Sequence, residues 1–351
     1  MKNERIVWLD LLRGVCIIAV VVCHQQGSLH SSEVVQYLTL YSVTGFIFAM
    51  GFTKGLSLQS YIQKESTRQT SFLAYSIKSM LKTLAAYSFA TIVILELNGT
   101  TDFVELFHRL LSFDAQSLYY FVKYYLILSL WAPVLYYIVL FANRYEGCIK
   151  GLMTIAIIVF IWLLGYFSVG RINILGESYL TVYFIGIYLS VSGMPRVNKM
   201  STTSSALLLL CGGWFSWKFY FERVAGNYNY KDYIDIIDSK LQLNPPNLSI
   251  ILYSFGVIFM LYTLCFYVQT YIAKVTWIFY PICVLGRYSL DIFLWHLFIM
   301  NKLNSFDLVL FENILIKRLV YYSLMFCLPI IGRLIYEENK KRLYLFKVYN
   351  N

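Results

Sequence analysis

The sequence predicts an all-α polytopic membrane bundle of about ten transmembrane helices, with both termini in the cytoplasm. Of its 351 residues, 59% are hydrophobic and only 14% are charged, whereas a soluble domain is nearer half apolar and a quarter charged. Apolar stretches long enough to cross about 30 Å of hydrocarbon recur along the chain. Aromatic residues make up 18% of the chain and include 31 Tyr, and such amphipathic rings favour the membrane surface.

The apolar stretches indicate a single integral-membrane domain over residues 1–351. A polar run after His24 separates the first two spans, and a basic segment precedes the third. The fourth contains Lys123, and the longest polar connection, residues 222–246, separates the seventh from the eighth. In chain order the predicted spans are residues 6–24, 35–53, 77–97, 118–141, 151–169, 174–192, 204–221, 247–271, 281–300 and 316–336.

The basic residues predict the orientation of these spans. Cytoplasmic segments of membrane proteins carry an excess of Lys and Arg, and an even number of spans with an inner N-terminus gives that bias here. The predicted inner loops and tail contain Lys54, Lys64, Arg68, Arg144, Lys150, Arg196, Lys199, Lys274, Lys340, Lys341, Arg342 and Lys347. The net charge of +10 therefore indicates membrane topology and gives no reason to expect nucleic-acid binding.

The seven cysteines are expected to behave as small apolar residues. Their number is odd, most lie within predicted spans, and the sequence contains no C-x-x-C pair. We therefore expect neither an obligatory disulfide nor a metal centre. No small-x-small site follows the first span, so we expect that span to be retained in the mature protein.

Two predicted outer segments, residues 98–117 and 222–246, are long enough to have a role. The second mixes Tyr, Asn, Asp and Lys, a composition that suits stacking on sugar rings and hydrogen bonding to their hydroxyl groups. A solvated connector would have the same composition.

The first span contains ionisable residues at membrane depth. Arg13 and His24 are eleven positions apart, which places them on one helix face, about 20° apart in angle and about 16 Å apart along the axis. Asp10 lies on the same side, about 40° from His24. Because a charge at membrane depth is costly, these residues indicate a functional site.

A second polar cluster lies in the predicted ninth span. Ser289 and His296 are seven positions apart and therefore share one helix face. Arg287 and His296 are nine apart and would point in opposite directions on a straight helix. Both could line one cavity only if Gly286-Arg287 lies in a break before the helix. We therefore predict such a break, with Arg287 beside Arg13 and with Ser289 and His296 facing the first helix. An interfacial histidine bonded to the backbone near a helix end is the alternative interpretation of His296.

The two clusters resemble the signatures of a known family. The run from Trp8 to His24, W-L-D-L-L-R-G-V-C-I-I-A-V-V-V-C-H, is similar to the opening signature of the acyltransferase-3 family of integral-membrane acyltransferases. That signature is a basic residue, ten intervening residues and a histidine. The run from Leu285 to His296, L-G-R-Y-S-L-D-I-F-L-W-H, resembles the late block of the same family.

The resemblance implies transfer of an acyl group, most often acetyl, from cytoplasmic acyl-CoA to a hydroxyl of a cell-surface or lipid-linked polysaccharide. The implied partners are acyl-CoA (acetyl-CoA above all), a glycan acceptor and membrane lipid, with the protein in the cell membrane. No metal and no nucleic acid are implied. The candidate residues are His24 (base or acyl carrier) and Asp10 for catalysis, Arg13 and Arg287 for coenzyme A, and Ser289 and His296 for contact with the substrate or support of the site.

Physical chemistry agrees with the role of His24. A sugar hydroxyl is a poor nucleophile until a base takes its proton, and histidine suits that step near neutral pH. The spacing of about 16 Å between Arg13 and His24 is of the order of an extended pantetheine arm.

Two other classes of protein fit the same composition. A glycan or lipid transporter or flippase without acyl transfer would also have many spans, buried charges and Lys123 in mid-span. A non-catalytic membrane scaffold fits less well, because it has no use for intramembrane charges. Binding of labelled acetyl-CoA distinguishes the transferase from the transporter.

Overall fold

A computed structural model describes residues 6–24, 33–64, 72–99, 102–113, 115–116, 119–167, 176–192, 202–219, 248–271, 276–305 and 314–349. Secondary structure in these ranges is entirely helical, as the sequence predicts. In chain order the helices are α1 (Val7–His24), α2 (Glu33–Thr39), α3 (Ser42–Lys64), α4 (Phe72–Leu97), α5 (Phe103–Ser112), α6 (Tyr120–Ala142), α7 (Gly147–Phe167), α8 (Tyr179–Val191), α9 (Thr202–Phe219), α10 (Leu248–Tyr271), α11 (Thr276–Arg287), α12 (Ser289–Ser305) and α13 (Ile314–Tyr349).

Five of the described helices are long and apolar enough to cross a membrane, and α11 with α12 make a sixth span if the pair counts as one. The five segments are Val7–His24, Ala74–Leu97, Tyr120–Ala142, Gly147–Gly165 and Lys317–Asn339. At 13 residues, α8 is about 20 Å long, which is shorter than the hydrocarbon core. The helical membrane class is confirmed, whereas ten spans and cytoplasmic termini stay predictions.

The predicted second span, residues 35–53, is not one continuous helix. Helix α2 ends at Thr39 and α3 begins at Ser42, and α3 continues well beyond the predicted end of the span. Lys54, predicted in a loop, therefore lies inside α3 with only 8% of its surface exposed.

Small residues explain why α3 continues into the bundle. A Cβ on Gly51 would meet the carbonyl oxygen of Tyr183, and one on Gly186 would lie 2.5 Å from that of Phe48. Glycines let helix backbones approach closely in a membrane, where packing replaces the hydrophobic effect as the source of association. The contact with α8 holds α3 in place and carries Lys54 inside.

Close backbone packing at glycines also joins α1 to α11. A Cβ on Gly14 would meet the carbonyl oxygen of Ile282, and one on Gly286 would meet that of Asp10. Gly286 therefore serves helix packing, and α11 remains helical through Arg287. These two contacts place the C-terminal end of α11 beside the first turns of α1.

The chain turns sharply immediately after α11. Tyr288 separates α11 from α12, and the two helices are bent by 84°. The predicted break is confirmed, but it lies at Tyr288 and not at Gly286-Arg287, because close packing on α1 keeps Gly286 helical.

The segment 98–117, predicted to be outside, contains a helix that the hydropathy pattern does not predict. The Asp102 side chain caps α5 by accepting a hydrogen bond from the Val104 N–H at 2.9 Å. Phe107 on its apolar face is 53% exposed, which suits a helix lying in the membrane surface. The other outer segment, 222–246, lies outside the described residues.

Candidate functional site

A cavity of about 270 Å³ lies inside the bundle beside α1. Its walls come from α1, α3, α4, α6 and α8 and from both sides of the α11–α12 break. Its polar lining includes three cations, Arg13, Lys54 and Arg287, and several hydroxyl groups, among them those of Thr53, Ser57 and Ser289. The fold thus unites residues from the two predicted clusters in one chamber, which we call the cation cavity.

Arg13 is held in the wall of the cation cavity by α3. Its guanidinium donates a hydrogen bond to Thr53 Oγ1. The Thr53 hydroxyl in turn donates to the Ala49 carbonyl oxygen at 2.7 Å. Because that bond uses the only proton of the hydroxyl, the oxygen presents lone pairs to Arg13 and orients its guanidinium.

Arg287 reaches the same cavity from the last residue of α11. Its Nε lies 3.8 Å from an Asp10 carboxylate oxygen, and its guanidinium carbon lies 5.6 Å from the Tyr280 ring centroid. The side chain is 28% exposed. Arg13 and Arg287 therefore face one chamber, as the predicted break requires, while their binding of coenzyme A stays a prediction.

Asp10 lies at this end of α1 and not beside His24. Fourteen residues separate the two in sequence, or about 21 Å along the helix. The ion pair with Arg287 makes Asp10 a residue that positions a cavity cation. Its predicted catalytic role stays a prediction, and the distance means that it cannot contact His24 directly.

Lys54 is the site residue that the sequence analysis missed. Its Nζ is buried without a hydrogen-bond partner among the described residues and lies 5.8 Å from the Tyr75 ring centroid. A signal was present in the sequence, since Gly51 and Gly55 flank Lys54 in a G-x-x-x-G pattern typical of membrane helix packing.

His24 and His296 lie together towards the other end of α1. Their ring centroids are 5.7 Å apart. His296 is fully buried in the middle of α12, and His24 is half-buried. His296 therefore faces the first helix as predicted, and the two residues form what we call the histidine pair.

The backbone fixes the tautomer of His296. Its Nδ1 lies 2.8 Å from the Phe293 carbonyl oxygen and 3.2 Å from that of Ile292. Carbonyl oxygens only accept hydrogen bonds, so Nδ1 carries the proton and Nε2 keeps a lone pair in the neutral ring. That Nε2 is buried without a hydrogen-bond partner among the described residues. The alternative interpretation of His296 is an interfacial histidine bonded to the backbone near a helix end. The backbone bond is present, but His296 lies in the middle of α12 and beside His24.

A family model described as an acyltransferase domain matches residues 6–336, nearly the whole chain. The chain belongs to the acyltransferase-3 family. The match confirms the family that the sequence resembles and supports acyl transfer by a membrane protein. No curated protein and no solved structure gives a significant match.

In this acyltransferase-3 protein, α12 connects the cation cavity to the histidine pair. Ser289 lines the cavity at the start of the helix, and Phe293 lines it one turn later. The ring centroid of Phe293 lies 5.8 Å from that of His296. The Phe293 ring therefore contacts both parts of the site, and Ser289 and His296 serve different ends of it.

Proposed function

We propose that this acyltransferase-3 protein is an O-acyltransferase of the cell membrane. It moves an acyl group, typically acetyl, from cytoplasmic acyl-CoA to a hydroxyl of a cell-surface or lipid-linked polysaccharide. The observation that carries the proposal is the placement of a cation-lined cavity and a histidine pair along one helix, with Arg13 in the cavity wall and His24 in the pair about 16 Å apart along α1. Coenzyme A likewise separates its phosphates from its thioester by an extended pantetheine arm.

The cation cavity suits the anionic half of the donor. The guanidinium groups of Arg13 and Arg287 form charge-assisted hydrogen bonds that match phosphate oxygens, and Ser289 adds a hydroxyl. The ion pair with Asp10 holds Arg287 in place until the donor arrives. The positive-inside bias puts the N-terminus of α1, and with it the cavity, on the cytoplasmic side where coenzyme A is present.

The histidine pair suits the chemical step. His24 takes the proton from the acceptor hydroxyl while the hydroxyl oxygen attacks the thioester carbonyl carbon. The carbon–sulfur bond then breaks, and the proton held by His24 passes to the departing coenzyme A sulfur. In the covalent variant a His24 nitrogen attacks the thioester carbonyl carbon, the carbon–sulfur bond breaks, and coenzyme A leaves as a thiol with the proton of the other ring nitrogen. The acceptor hydroxyl then attacks the acyl-histidine, the carbon–nitrogen bond breaks, and the hydroxyl proton returns to the imidazole.

The packing around the histidine pair protects the thioester. His296 covers one side of His24 and is itself packed against Phe293, and this packing keeps bulk water from hydrolysing an acyl group placed there. His24 is the last residue of α1, at the end opposite the cytoplasmic cavity. A glycan hydroxyl on the outer side of the membrane would therefore reach it without crossing the bilayer.

Transfer of label tests the proposal. Inside-out membrane vesicles from cells that make the chain and its native glycan would receive acetyl-CoA labelled in the acetyl group. We expect alkali-labile label on the glycan, lost in His24→Ala. A protein that moves glycan across the membrane but neither binds acetyl-CoA nor labels the glycan is a transporter, and that result would overturn the proposal. Glycan analysis of a deletion strain then identifies the acceptor position.

A further inference from the structure

Lys54 is a buried cation in the wall of the cation cavity, which also contains Arg13 and Arg287. It is 92% buried, the complement of its 8% exposure, and its Nζ has no hydrogen-bond acceptor among the described residues. Its neighbour is the Tyr75 ring, and the Tyr75 hydroxyl is itself hydrogen-bonded to Ser57. An ammonium oriented by a ring face but lacking an acceptor is costly to bury unless an anion joins it.

The charges around the cation cavity do not cancel. Arg13, Lys54 and Arg287 each contribute a positive charge, and Asp10, paired with Arg287 at 3.8 Å, contributes one negative charge. Among the described residues these four side chains therefore sum to two positive charges, and Ser57 and Ser289 add hydroxyl groups to the lining. The cavity volume of about 270 Å³ is much larger than the roughly 30 Å³ that one water molecule takes up, so the cavity accommodates a small polyanion.

We propose that Lys54 completes a diphosphate-binding site with Arg13 and Arg287. The inference rests on the proposed function in that the diphosphate of acyl-CoA is the first source of this chemistry. A diphosphate diester carries two negative charges, which would balance the net positive charge of Arg13, Lys54, Arg287 and Asp10. Its oxygens offer a hydrogen-bond acceptor to each of the three cations. A lipid-linked sugar carries the same group, so the experiment has to distinguish the two sources.

The test compares ligands that differ in their phosphates. Full-length protein in nanodiscs is titrated with acetyl-CoA, with acetyl-3′-dephospho-CoA and with acetyl-pantetheine, which lacks the diphosphate. We expect Lys54→Met to weaken the first two ligands at least tenfold and to leave the third unchanged. Lys54→Arg should restore most of the affinity. Inorganic pyrophosphate should compete with acetyl-CoA on the wild type.

Lys82→Met is the matched control, because Lys82 is an exposed lysine of α4 that does not line the cavity. If Lys54→Met binds acetyl-CoA as tightly as Lys82→Met does, the inference is overturned and the proposed function stands. Equal weakening of all three ligands would make Lys54 a structural residue. Weakening of acetyl-CoA alone would assign Lys54 to the 3′-phosphate. Either result overturns the diphosphate assignment.

A second arm separates the inference from the proposed function. Wild-type protein that binds no acetyl-CoA contradicts the proposed function, whatever Lys54 does. In that case nanodiscs containing a polyprenyl diphosphate provide the probe. Binding that is lost in Lys54→Met would keep the diphosphate site and assign it to a lipid-linked ligand, whereas failure of both ligands to bind would overturn the site itself.

Discussion

The histidine pair restricts how protons move in the site. His296 is fully buried, and its Nδ1–H is directed to backbone carbonyl oxygens. The two ring centroids are 5.7 Å apart, so His296 packs directly beside His24. Because His24 is only half-buried, it is the member better placed to exchange a proton with substrate, and His296 supports it.

Replacement of His24 tests this division of roles. We expect His24→Ala to lower acyl transfer by about 10²–10⁴-fold, the range for loss of a general base. Acetyl-CoA affinity should not change, because Arg13, the cavity cation on the same helix, lies about 16 Å from His24 along α1. His108→Ala, at an exposed histidine of α5, is the control and should transfer acetyl normally. Full transfer in His24→Ala would exclude His24 as base and as acyl carrier.

Replacement of Arg13 is expected to change acetyl-CoA affinity, which replacement of His24 should leave unchanged. We expect Arg13→Ala to weaken acetyl-CoA binding at least tenfold, or about 1.4 kcal/mol, the scale of a lost charge-assisted hydrogen bond. Arg333→Ala is a suitable control, because Arg333 pairs with Glu337 at 3.0 Å on α13. Titration of both purified variants decides the question. An affinity equal to that of the control would make Arg13 a structural partner of Thr53.

At the scale of helices, the site depends on how closely α1 and α11 pack. The two backbones meet at Gly14 and Gly286, and this contact brings Arg287 to Asp10. The 84° bend that follows sends α12 along a new direction, towards His24. Packing at these two glycines therefore supports both the cation cavity and the histidine pair.

Gly286→Ala should disturb this arrangement. The added Cβ would meet the Asp10 carbonyl oxygen, and overpacking of this kind typically costs about 1–3 kcal/mol. We expect a lower melting temperature in detergent and weaker acetyl-CoA binding, since Arg287 would move. Gly332→Ala, on α13 where a Cβ meets open space, should be neutral or slightly stabilising. Equal melting temperatures for the two variants would contradict the close packing.

Patterns that depend on one helix could be predicted from the sequence. The charged face of α1 follows from residue spacing alone, because helix geometry converts spacing into direction. The prediction of a break before α12 also needs the assumption that Arg287 and His296 line one cavity. The position of Lys54 could not be predicted by hydropathy, which measures composition. Its burial results from contact between α3 and α8, and such contacts depend on glycines that a hydropathy average treats as neutral.

The amphipathic helix α5 was missed for a related reason. Its cap, Asp102, and its exposed apolar face form a short helix in a segment whose average composition is polar. The contact between His24 and His296 links residues far apart in sequence. Spacing predicts that each faces a partner, but only packing determines that the partner is the other histidine.

For the whole molecule, the proposed reaction requires that the two ends of α1 face opposite sides of the membrane. Coenzyme A must enter the cation cavity from the cytoplasm, and the glycan hydroxyl must reach His24 from outside. The number of spans matters less than this sidedness, because any arrangement that keeps α1 across the bilayer preserves the separation. The sidedness of α1 is therefore the global property on which donor and acceptor access depend.

Cysteine labelling tests that sidedness directly. Cys148 is exposed at the start of α7, in a segment whose neighbouring Arg144 and Lys150 predict a cytoplasmic location. With the other six cysteines replaced, Cys148 should react with a membrane-impermeant maleimide only after permeabilisation. A cysteine-free chain carrying His108→Cys on α5 should react in intact cells, because α5 is predicted to be outside. The reverse pattern would put the cation cavity on the outer side, where it could not receive cytoplasmic acyl-CoA, and the proposed donor would be wrong.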